Sequence, residues 1–364
     1  MVAQPSISVI ATVFDEATNV AGWLDSLLGQ TLSAVEIVIV DGGSTDGTVQ
    51  EIEHWAGSSD VPIVVIVRPG ANISQGRNLA IESAIGQIVA VTDAGTRADR
   101  QWLERLTAPL MAGDADVASG FFVPRLSSRW ERALAATTLP DASDIDGDTF
   151  LPSSRSMAFR REWFESGVRY PEWLDYCEDL VWDLSMARAG ARFRFVPEAT
   201  VTFAVRGSLR LFAVQYARYA RGDSKAGLFA RRHALRYATY AALVGVLWRR
   251  RTPEMLLTAV CGSAYVARPI NRLWIRDRRS GTSRCDTLAT IPLAVGLRAV
   301  GDIAKMAGYP VGLFWRWRQF GRLGWRTTWR RVSPDGVLFR PAATSTGSQP
   351  PEVSPAAGSP AELR

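Results

Sequence analysis

Short apolar runs alternate with amphipathic stretches along the first part of the chain. Four runs are rich in β-branched residues and bounded by turn residues, as buried strands are, and they span residues 6–13, 35–40, 62–67 and 87–92. The stretches between them repeat apolar residues at helical spacing, at residues 19–28, 45–55 and 77–85. This alternation predicts an α/β fold in which a parallel sheet carries helices on both faces.

Polar residues follow each predicted strand. They occupy residues 12–16, 41–46, 70–78 and 93–99. Ligands bind open α/β sheets outside the carboxyl ends of the strands. We therefore expect these four loops to meet at one edge of the sheet and to form the binding site.

A second set of elements completes the first predicted domain, residues 1–205. It contains a strand, an acidic loop, an extended segment, a helix and a returning strand, at residues 117–123, 141–150, 156–161, 177–189 and 192–196. In residues 206–331, arginines and aromatic residues alternate with apolar stretches, which predicts a basic helical region. Residues 332–364 are rich in Pro, Ala and Ser and are predicted to form a disordered tail.

The net charge of +6 conceals two oppositely charged parts. Residues 1–204 contain 15 Lys+Arg and 28 Asp+Glu, whereas residues 205–340 contain 26 and 6. A basic region of this size suggests an anionic lipid surface or a nucleic acid as its partner. Because its arginines alternate with long apolar stretches and do not line a polar face, we predict a membrane partner and no nucleic acid.

The apolar stretches of the basic region indicate the kind of membrane contact. Residues 234–248 and 254–267 are shorter than the roughly 20 residues that cross a bilayer, which favours a helical hairpin or an interfacial pair. Four tryptophans beside arginines are expected at the level of the lipid headgroups: Trp248, Trp274, Trp315 and Trp317.

The last apolar stretch, residues 288–315, carries charges on one face. Arg298, Asp302 and Lys305 are spaced so that they share this face, which predicts a helix lying in the membrane interface. An alternative is an ordinary helical subdomain whose arginine stems cover apolar surface. The excess of Lys and Arg beside these helices predicts that they lie at the cytoplasmic side of a cell membrane.

Cysteine and histidine usage limits the available chemistry. Cys177, Cys261 and Cys285 are far apart, and His54 and His233 are the two histidines. This pattern predicts neither a disulfide framework nor a zinc site, and it favours a reducing compartment. The N-terminus lacks the basic flank of a cleavable signal, so none is predicted.

The segment "VDGGSTDGT", residues 40–48, leaves a predicted strand through a glycine turn and opens a helix. It is not GxGxxG, so a dinucleotide fingerprint fails. Asp41 at the strand tip can accept an N–H from a base edge or bind ribose. The structural alternative is a helix whose N-cap is Ser44 or Thr45.

Three longer segments carry a resemblance. "ISVIATVFDEATNVAGWLDSLLGQTLSAVEIVIVDGGSTDGT" and "GRNLAIESAIGQIVAVTDAG" look like the nucleotide-binding half of family 2 glycosyltransferases, which have the GT-A fold. "YCEDLVWDLSMARAGARFRFVPEATV" looks like the acceptor-side Glu-Asp motif of that family. The resemblance covers residues 5 to about 203, and the basic region is similar to the membrane-associated helices of some members.

The resemblance implies roles for individual residues. The donor would be a nucleoside diphosphate-sugar, with Asp41 on its base and Arg77 near its ribose or phosphates. Asp93 matches the first acid of the Asp-x-Asp motif and would hold Mg²⁺ or Mn²⁺. Asp179 matches the catalytic base, with Glu178 beside it as a second catalytic acid. The residues implied to contact the donor are Thr12, Glu16, Asp41, Arg77 and Asp93.

The chemistry of glycosyl transfer is consistent with these residue types. A carboxylate-bound divalent cation neutralises charge on a departing diphosphate, and a second carboxylate removes the proton of the acceptor hydroxyl. One base with direct displacement predicts inversion at the anomeric carbon. Gly95 stands where the second acid of the metal motif is expected, but Mg²⁺ often takes only one or two carboxylates. Asp99 could act through water, although it is expected to cap the following helix.

The predicted function is an inverting glycosyltransferase that uses a lipid-linked or polysaccharide acceptor at the cytoplasmic face of a membrane. Two alternatives remain: a nucleotidyltransferase, and a catalytically degenerate membrane protein that binds nucleotide-sugars, which Gly95 motivates. The segment Gln215–Tyr219 resembles the Gln-x-x-Arg-Trp element of processive relatives, but Tyr219 replaces its Trp. A phosphate-binding role and a basic amphipathic helix at a bilayer both fit this segment.

Overall fold

A computed structural model describes residues 5–249 and 251–329, with side chains described through residue 319. The predicted tail, residues 332–364, lies outside the described residues.

The first half of the chain forms the predicted parallel strands. These are β1 (Ile7–Val13), β2 (Glu36–Asp41), β3 (Ile63–Val67) and β4 (Ile88–Val91), with α1 (Ala17–Leu28), α2 (Thr48–Ala56) and α3 (Ile73–Ser83) between them. β1 lies between β2 and β4, and Val9 pairs with Ile37 on one side and with Ala90 on the other. The carboxyl ends of β1, β2 and β4 therefore meet at one edge, as expected.

The second half makes the sheet mixed. β5 (Thr96–Ala98), β6 (Val117–Arg125), β7 (Met157–Arg160) and β8 (Phe193–Ala204) extend it to eight strands in the order β3-β2-β1-β4-β7-β6-β8-β5. β7 runs antiparallel to both β4 and β6, and β5 runs antiparallel to β8. The expectation of a parallel sheet concerned the first four strands and is confirmed there. The direction of the later strands was not predicted, because a short apolar run specifies a strand but not its direction.

Helices cover both faces of the sheet, as predicted. Four further helices belong to this domain: α4 (Trp102–Met111), α5 (Arg129–Thr138), α6 (Glu162–Glu165) and α7 (Glu178–Ala189). Alternate residues of a strand point to opposite faces. Accordingly, Val9 packs in one core with Trp23 and Trp102, and Ile10 packs in the other with Ile81 and Trp182.

Two helices begin elsewhere than predicted. α3 begins at Ile73 because Asn72 and Gln75 form a capping box, which places Arg77 on a helix and not in a loop. α2 begins at Thr48, after Gly47 in a left-handed conformation. Its first turn is held by Asp46, whose Oδ1 accepts from the Thr48 N–H at 3.1 Å, so an N-cap at Ser44 or Thr45 is wrong.

The basic region forms four helices. They are α8 (Leu209–Ala226), α9 (Ala230–Arg249), α10 (Thr252–Arg279) and α11 (Arg284–Trp329). α8 packs closely along α11, where a Cβ added at Gly308 would lie 1.9 Å from the backbone oxygen of Ala217. This contact has no room for any side chain at Gly308 and fixes the two helices to each other.

Opposite charges join the basic helices to the first domain. Arg132 of α5 lies 3.2 Å from Asp277 of α10. Arg276 and Arg272 of α10 reach the acidic loop, each at 2.8 Å from an aspartate, Asp141 and Asp144 respectively. Part of the charge excess in each half is therefore neutralised by the other half.

The charged face of α11 points inward. Asp302 accepts from the Arg236 Nε at 2.8 Å, and the Arg298 Nε donates to the Tyr265 hydroxyl at 2.8 Å. The prediction that this face lies among headgroups is wrong, because α9 and α10 supply partners for it. Residues 284–319 of α11 are nevertheless long and apolar enough to cross a membrane by length and composition, with 39% of the most apolar window buried.

The predicted tryptophan anchors divide into two groups. Trp248 is 87% exposed and Trp317 is 58% exposed, which agrees with a surface position. Trp315 instead stacks on Trp173, with ring centroids 5.7 Å apart. Trp315 and Trp274 are both half-buried, and their position at the headgroup level stays a prediction.

Candidate active site

A cavity of about 730 Å³ lies at the carboxyl ends of the strands, between the sheet and the basic helices. It is lined by the loops after β1 and β4, the start of α7, and the inner face of α8. Six of the seven residues predicted for the site line the cavity: Thr12, Glu16, Arg77, Asp93, Glu178 and Asp179. Asp41 does not line the cavity.

Asp93 follows β4, and its side chain is one-third exposed to the cavity. Its Oδ1 lies 3.4 Å from Nη2 of Arg77, and its Oδ2 lies 3.8 Å from Nε of Arg155. A Cβ added at Gly95 would meet no atom within 4 Å. The Cβ of a second acid would therefore lie in open space at residue 95.

Arg77 connects three elements of the site. Its guanidinium is buried, lies 2.7 Å from Oε1 of Glu178 through Nη1, and sits 5.4 Å from the ring centroid of Tyr170. With Asp93 on its other side, both ends of the guanidinium are occupied by carboxylates. These contacts fit a residue that positions Asp93 and α7, and a direct contact with ribose or phosphate stays a prediction.

Glu178 and Asp179 begin α7 but have different surroundings. Burial, and then the neighbouring carboxylate of Asp179, raise the pKa of Glu178, while Arg77 opposes the shift. Asp179 accepts a hydrogen bond from the Leu180 N–H at 2.8 Å. No described side chain forms an ion pair with it. Glu178 is thus held by Arg77, whereas Asp179 presents a carboxylate to the cavity.

Asp41 closes the glycine turn after β2. Its Oδ1 accepts from the N–H groups of Gly43 at 2.8 Å and Ser44 at 2.9 Å, and its Oδ2 accepts from the Ser44 hydroxyl. The side chain is fully buried. These bonds hold the turn in place, and contact between Asp41 and a base stays a prediction.

The remaining residues of the predicted loops have mostly local partners. Glu16 accepts from Asn19 at 2.7 Å. The Thr12 methyl lies against α3, where a Cβ added at Gly76 would be 2.7 Å from it. Asp99 lies off the cavity wall, where its Oδ1 accepts from the Gln101 N–H at 3.1 Å before α4.

Two residues at the site were not found from the sequence, Arg155 on the cavity wall and Asp183 behind it. Arg155 lies before β7 and stacks over Phe122 and Phe203, with its Cζ 5.6 Å and 5.1 Å from their ring centroids. Asp183 is fully buried behind the site, its oxygens have no hydrogen-bond partner among the described residues, and burial raises its pKa. A single arginine in a polar loop and one acid within a helix give no periodic signal.

The segment Gln215–Tyr219 contributes to the cavity through three side chains. Gln215, Tyr216 and Tyr219 line it, and the Gln215 amide donates to the Tyr219 hydroxyl at 2.6 Å. Arg218 points elsewhere, donating to the Tyr176 hydroxyl at 3.1 Å. One face of α8 therefore forms part of the cavity and Arg218 lies outside it, while phosphate binding and contact with a bilayer both stay predictions.

The comparisons with known proteins agree with this geometry. Residues 8–168 carry a match to a family model, glycosyl transferase family 2. The resemblance seen in the sequence is therefore confirmed for the domain that holds Thr12, Asp41 and Asp93.

Curated relatives match the same part of the chain. Glycosyltransferase AglE of Haloferax volcanii is 26% identical over 196 residues, which cover 52% of this chain and 64% of the relative. The uncharacterized glycosyltransferase EpsJ of Bacillus subtilis is 26% identical over 205 residues, covering 53% and 59%. This chain spans about three fifths of the length of these two relatives.

A solved structure shows the fold over a larger part of the chain. The mannosyltransferase PcManGT of Pyrobaculum calidifontis, in complex with GDP-Man and Mn²⁺, superposes with a TM-score of 0.55 at 20% identity. The match covers 83% of this chain and 88% of that one. The predicted GT-A fold is confirmed.

Proposed function

We propose that the protein is an inverting glycosyltransferase. It transfers a sugar from a nucleoside diphosphate-sugar to a hydroxyl of a lipid-linked or polysaccharide acceptor at the cytoplasmic face of a membrane. The observation that carries the proposal is the pair of carboxylates on one cavity: Asp93 at the end of β4 and Asp179 at the start of α7. The Arg77 guanidinium and Glu178 connect the two elements.

Asp179 acts as the general base. An acceptor hydroxyl is a weak nucleophile until a positioned carboxylate accepts its proton. Asp179 suits this step because it reaches the cavity without an ion pair to a described side chain. The alkoxide then displaces the nucleoside diphosphate from the opposite side of the anomeric carbon, and one displacement inverts that carbon. Glu178 acts through Arg77, as a positioning residue.

Asp93 is the residue that would hold Mg²⁺ or Mn²⁺. Within the described residues no cluster of three His, Cys, Asp or Glu side chains forms a metal site. One carboxylate still suits Mg²⁺, which takes its other ligands from waters and substrate phosphates. When bound, the cation neutralises charge on the diphosphate. The GDP-Man and Mn²⁺ bound by PcManGT support this donor class.

The exposed apolar side chains of the basic helices support the membrane location. Large apolar residues project from α9, α10 and α11, and each is more than half exposed: Leu235, Val244, Leu247, Trp248, Leu256, Leu257, Val260, Ile303, Val311, Phe314 and Trp317. Exposed apolar surface of this extent marks an interaction site. Arginines near these helices suit anionic lipids of the cytoplasmic leaflet.

The experiment that tests the function is a donor screen with the full-length protein in lipid nanodiscs. We expect one nucleoside diphosphate-sugar to raise the melting temperature when Mg²⁺ or Mn²⁺ is present, and its sugar to be released or transferred. Asp93→Ala should abolish this release, whereas Asp60→Asn on the exposed surface should not. A donor that binds but is never turned over would instead support the degenerate binding protein. Release of inorganic pyrophosphate from a nucleoside triphosphate would support a nucleotidyltransferase.

A further inference from the structure

Both carboxylate oxygens of Asp93 have an arginine beside them. Oδ1 lies 3.4 Å from Nη2 of Arg77, and Oδ2 lies 3.8 Å from Nε of Arg155. In the free protein a divalent cation at Asp93 would therefore be close to two positive charges, which repel it. Gly95 supplies no second carboxylate that would offset this repulsion. Binding of the cation is accordingly favoured when one of the two arginines moves away.

Arg77 is fixed, whereas Arg155 can move. The Arg77 side chain is 3% exposed, and its Nη1 lies 2.7 Å from Oε1 of the buried Glu178. Breaking a buried pair of this kind is strongly destabilising, because it leaves an unpaired buried charge. The Arg155 side chain is 28% exposed and its Nε is farther from the carboxylate. An ion pair of that length and exposure contributes little, so Arg155 is the arginine that can leave Asp93.

The guanidinium of Arg155 lies on an aromatic part of the cavity wall. Its Cζ is 5.6 Å from the ring centroid of Phe122 and 5.1 Å from that of Phe203. Aromatic faces at these distances attract a cation and do not occupy the N–H groups at the edge of the guanidinium. The two rings therefore keep the cation at the cavity and leave its donors available to a ligand.

Arg155 lines the same cavity as the carboxylates proposed for metal binding and for proton transfer, Asp93 and Asp179. Burial lowers the pKa of its guanidinium, but the Tyr219 hydroxyl and then the charge of Asp93 raise it, and the net shift is upward. The charge of Asp179 adds to the upward shift. The guanidinium thus stays charged and lies within the electrostatic reach of both carboxylates.

We propose that Arg155 is the counter-ion of Asp93 in the free protein and moves to the donor diphosphate when the divalent cation binds. The carboxylate oxygen that Arg155 leaves is then available to the cation. The guanidinium binds phosphate oxygens instead, for which its planar, forked N–H groups are suited. Because the diphosphate gives the released arginine a new partner, cation and diphosphate bind together.

In its second position Arg155 also stabilises the leaving group. As the bond between the anomeric carbon and the diphosphate oxygen breaks, its electron pair stays on that oxygen and the negative charge of the diphosphate grows. A guanidinium held against aromatic rings in a partly dry cavity stabilises this charge. The inference rests on the proposed function, since it concerns the donor side of the same site.

The test compares two arginine-to-methionine variants of the full-length protein in nanodiscs of zwitterionic lipid. Arg155→Met removes the charge and keeps a flexible apolar side chain against the two rings. Arg169→Met is the matched control. The Arg169 Cζ also lies over a phenylalanine ring, 3.6 Å from the centroid of Phe164, and Nη1 pairs with Glu82 at 3.1 Å. Arg169 is not among the described residues that line the cavity.

Arg155→Met should change two affinities in opposite directions. Without nucleotide, Mn²⁺ affinity, read by electron paramagnetic resonance of the free ion, should rise about threefold or more, because a competing positive charge is gone. At saturating Mn²⁺, calorimetry should show about tenfold or more weaker binding of the nucleoside diphosphate that the wild type binds. The nucleotides screened are UDP, GDP, ADP, CDP and dTDP. Affinity for the corresponding nucleoside should stay unchanged, and Arg169→Met should alter none of the three.

Wild-type protein provides a second test that does not depend on the folding of a variant. Phenylglyoxal modifies accessible arginines, and mass spectrometry locates the modified residues. We expect Mn²⁺ alone to increase modification of Arg155, since the ion releases it from Asp93. Mn²⁺ together with the nucleoside diphosphate should decrease it. Modification of Arg169 should be the same in every state.

Several results would overturn the inference alone. Mn²⁺ affinity that does not rise in Arg155→Met, or Arg155 modification that Mn²⁺ does not increase, would show that Arg155 does not compete with the cation. Unchanged nucleoside diphosphate affinity would show that Arg155 does not bind the diphosphate. Equal losses for nucleoside and nucleoside diphosphate would show that the variant changes the shape of the cavity. A wild-type protein that binds no nucleoside diphosphate or nucleoside diphosphate-sugar with Mn²⁺ or Mg²⁺ would instead overturn the proposed function.

Discussion

Cys177 is the N-cap residue of α7. It has a positive φ of 70° immediately before the two acids Glu178 and Asp179. Residues other than Gly, Asn and Asp adopt this left-handed conformation at a cost of about 1–2 kcal/mol. Its thiol lies in the same cavity wall, where burial raises its pKa well above the usual value. The backbone strain and the inert thiol both indicate that Cys177 shapes the site without reacting.

Substitutions at Cys177 should follow the backbone conformation and not the size of the side chain. Cys177→Gly relieves the strain, so we expect a free energy of unfolding equal to or above that of wild type. Cys177→Val should be less stable than the glycine variant by about 2 kcal/mol, because a β-branched residue is disfavoured at positive φ. Urea unfolding of both variants measures this. A valine variant as stable as the glycine variant would show that no strain exists at this position.

Titration of Glu178 should make the stability of the protein depend on pH in a defined direction. Burial and Asp179 raise its pKa in the folded protein above 4.5, to about 7. A carboxyl with a raised pKa contributes stability at low pH, and that contribution is lost as pH rises through the folded pKa. Between pH 4.5 and about 7, wild type should therefore lose about 1–3 kcal/mol of stability relative to Glu178→Gln.

The measurement is urea unfolding of both proteins across this pH window. Comparison of the two proteins cancels the titration of groups that they share. A difference that is constant with pH, or that changes in favour of wild type as pH rises, would show that the pKa of Glu178 is not raised.

At the scale of elements, packing of α8 against α11 depends on small residues. Gly308 lies against the α8 backbone, whereas a Cβ added at Gly296, on the same helix, would meet no atom within 4 Å. Alanine favours a helix over glycine by about 1 kcal/mol. Whether a glycine-to-alanine substitution raises or lowers stability therefore depends on contact with the neighbouring helix.

We expect Gly308→Ala to lower the free energy of unfolding by about 1–3 kcal/mol, since it forces two packed helices apart. Gly296→Ala, the matched control, should raise stability by about 0.5–1 kcal/mol. Thermal unfolding of both variants in detergent measures the effect. Equal stabilisation by the two substitutions would contradict the close packing of α8 and α11.

The elements also show what sequence patterns could and could not predict. The strands β1, β2 and β4 were found because their apolar residues are continuous, and they are buried. The start of α3 was missed because its capping box, Asn72 and Gln75, lies inside a polar segment that resembles a loop. Helical periodicity placed Arg298, Asp302 and Lys305 on one face, but it could not tell whether that face meets lipid or protein.

At the scale of the whole molecule, the two oppositely charged halves form one structure around one cavity. Residues far apart in sequence meet there, such as Asp93 of the first half and Lys305 of the second. Motif matching predicted the donor side of this cavity because its residues follow strands in a fixed order. It could not predict Arg155 or the place of Lys305, which depend on how the helices dock.

The outer surface of the basic helices should determine membrane binding. Replacing Leu256, Leu257 and Val260 by serine removes apolar side chains that are 63–67% exposed. We expect this variant to bind anionic phospholipid vesicles much more weakly than wild type in a flotation assay, because apolar burial drives interfacial binding. A matched triple serine variant at the exposed residues Val35, Val67 and Ile85 of the first domain should float as wild type does. Equal flotation of both triple variants would show that the membrane contact lies elsewhere.

The most direct test of the catalytic account is the single-turnover rate of sugar transfer by Asp179→Asn, with donor affinity measured on the same variant. The transfer rate should fall about 10²- to 10⁴-fold, the usual contribution of a general base. Donor affinity should be unchanged, because Asp179 has no ion pair with a described side chain that its loss would break. A transfer rate equal to that of wild type, or a loss explained wholly by weaker donor binding, would contradict the account.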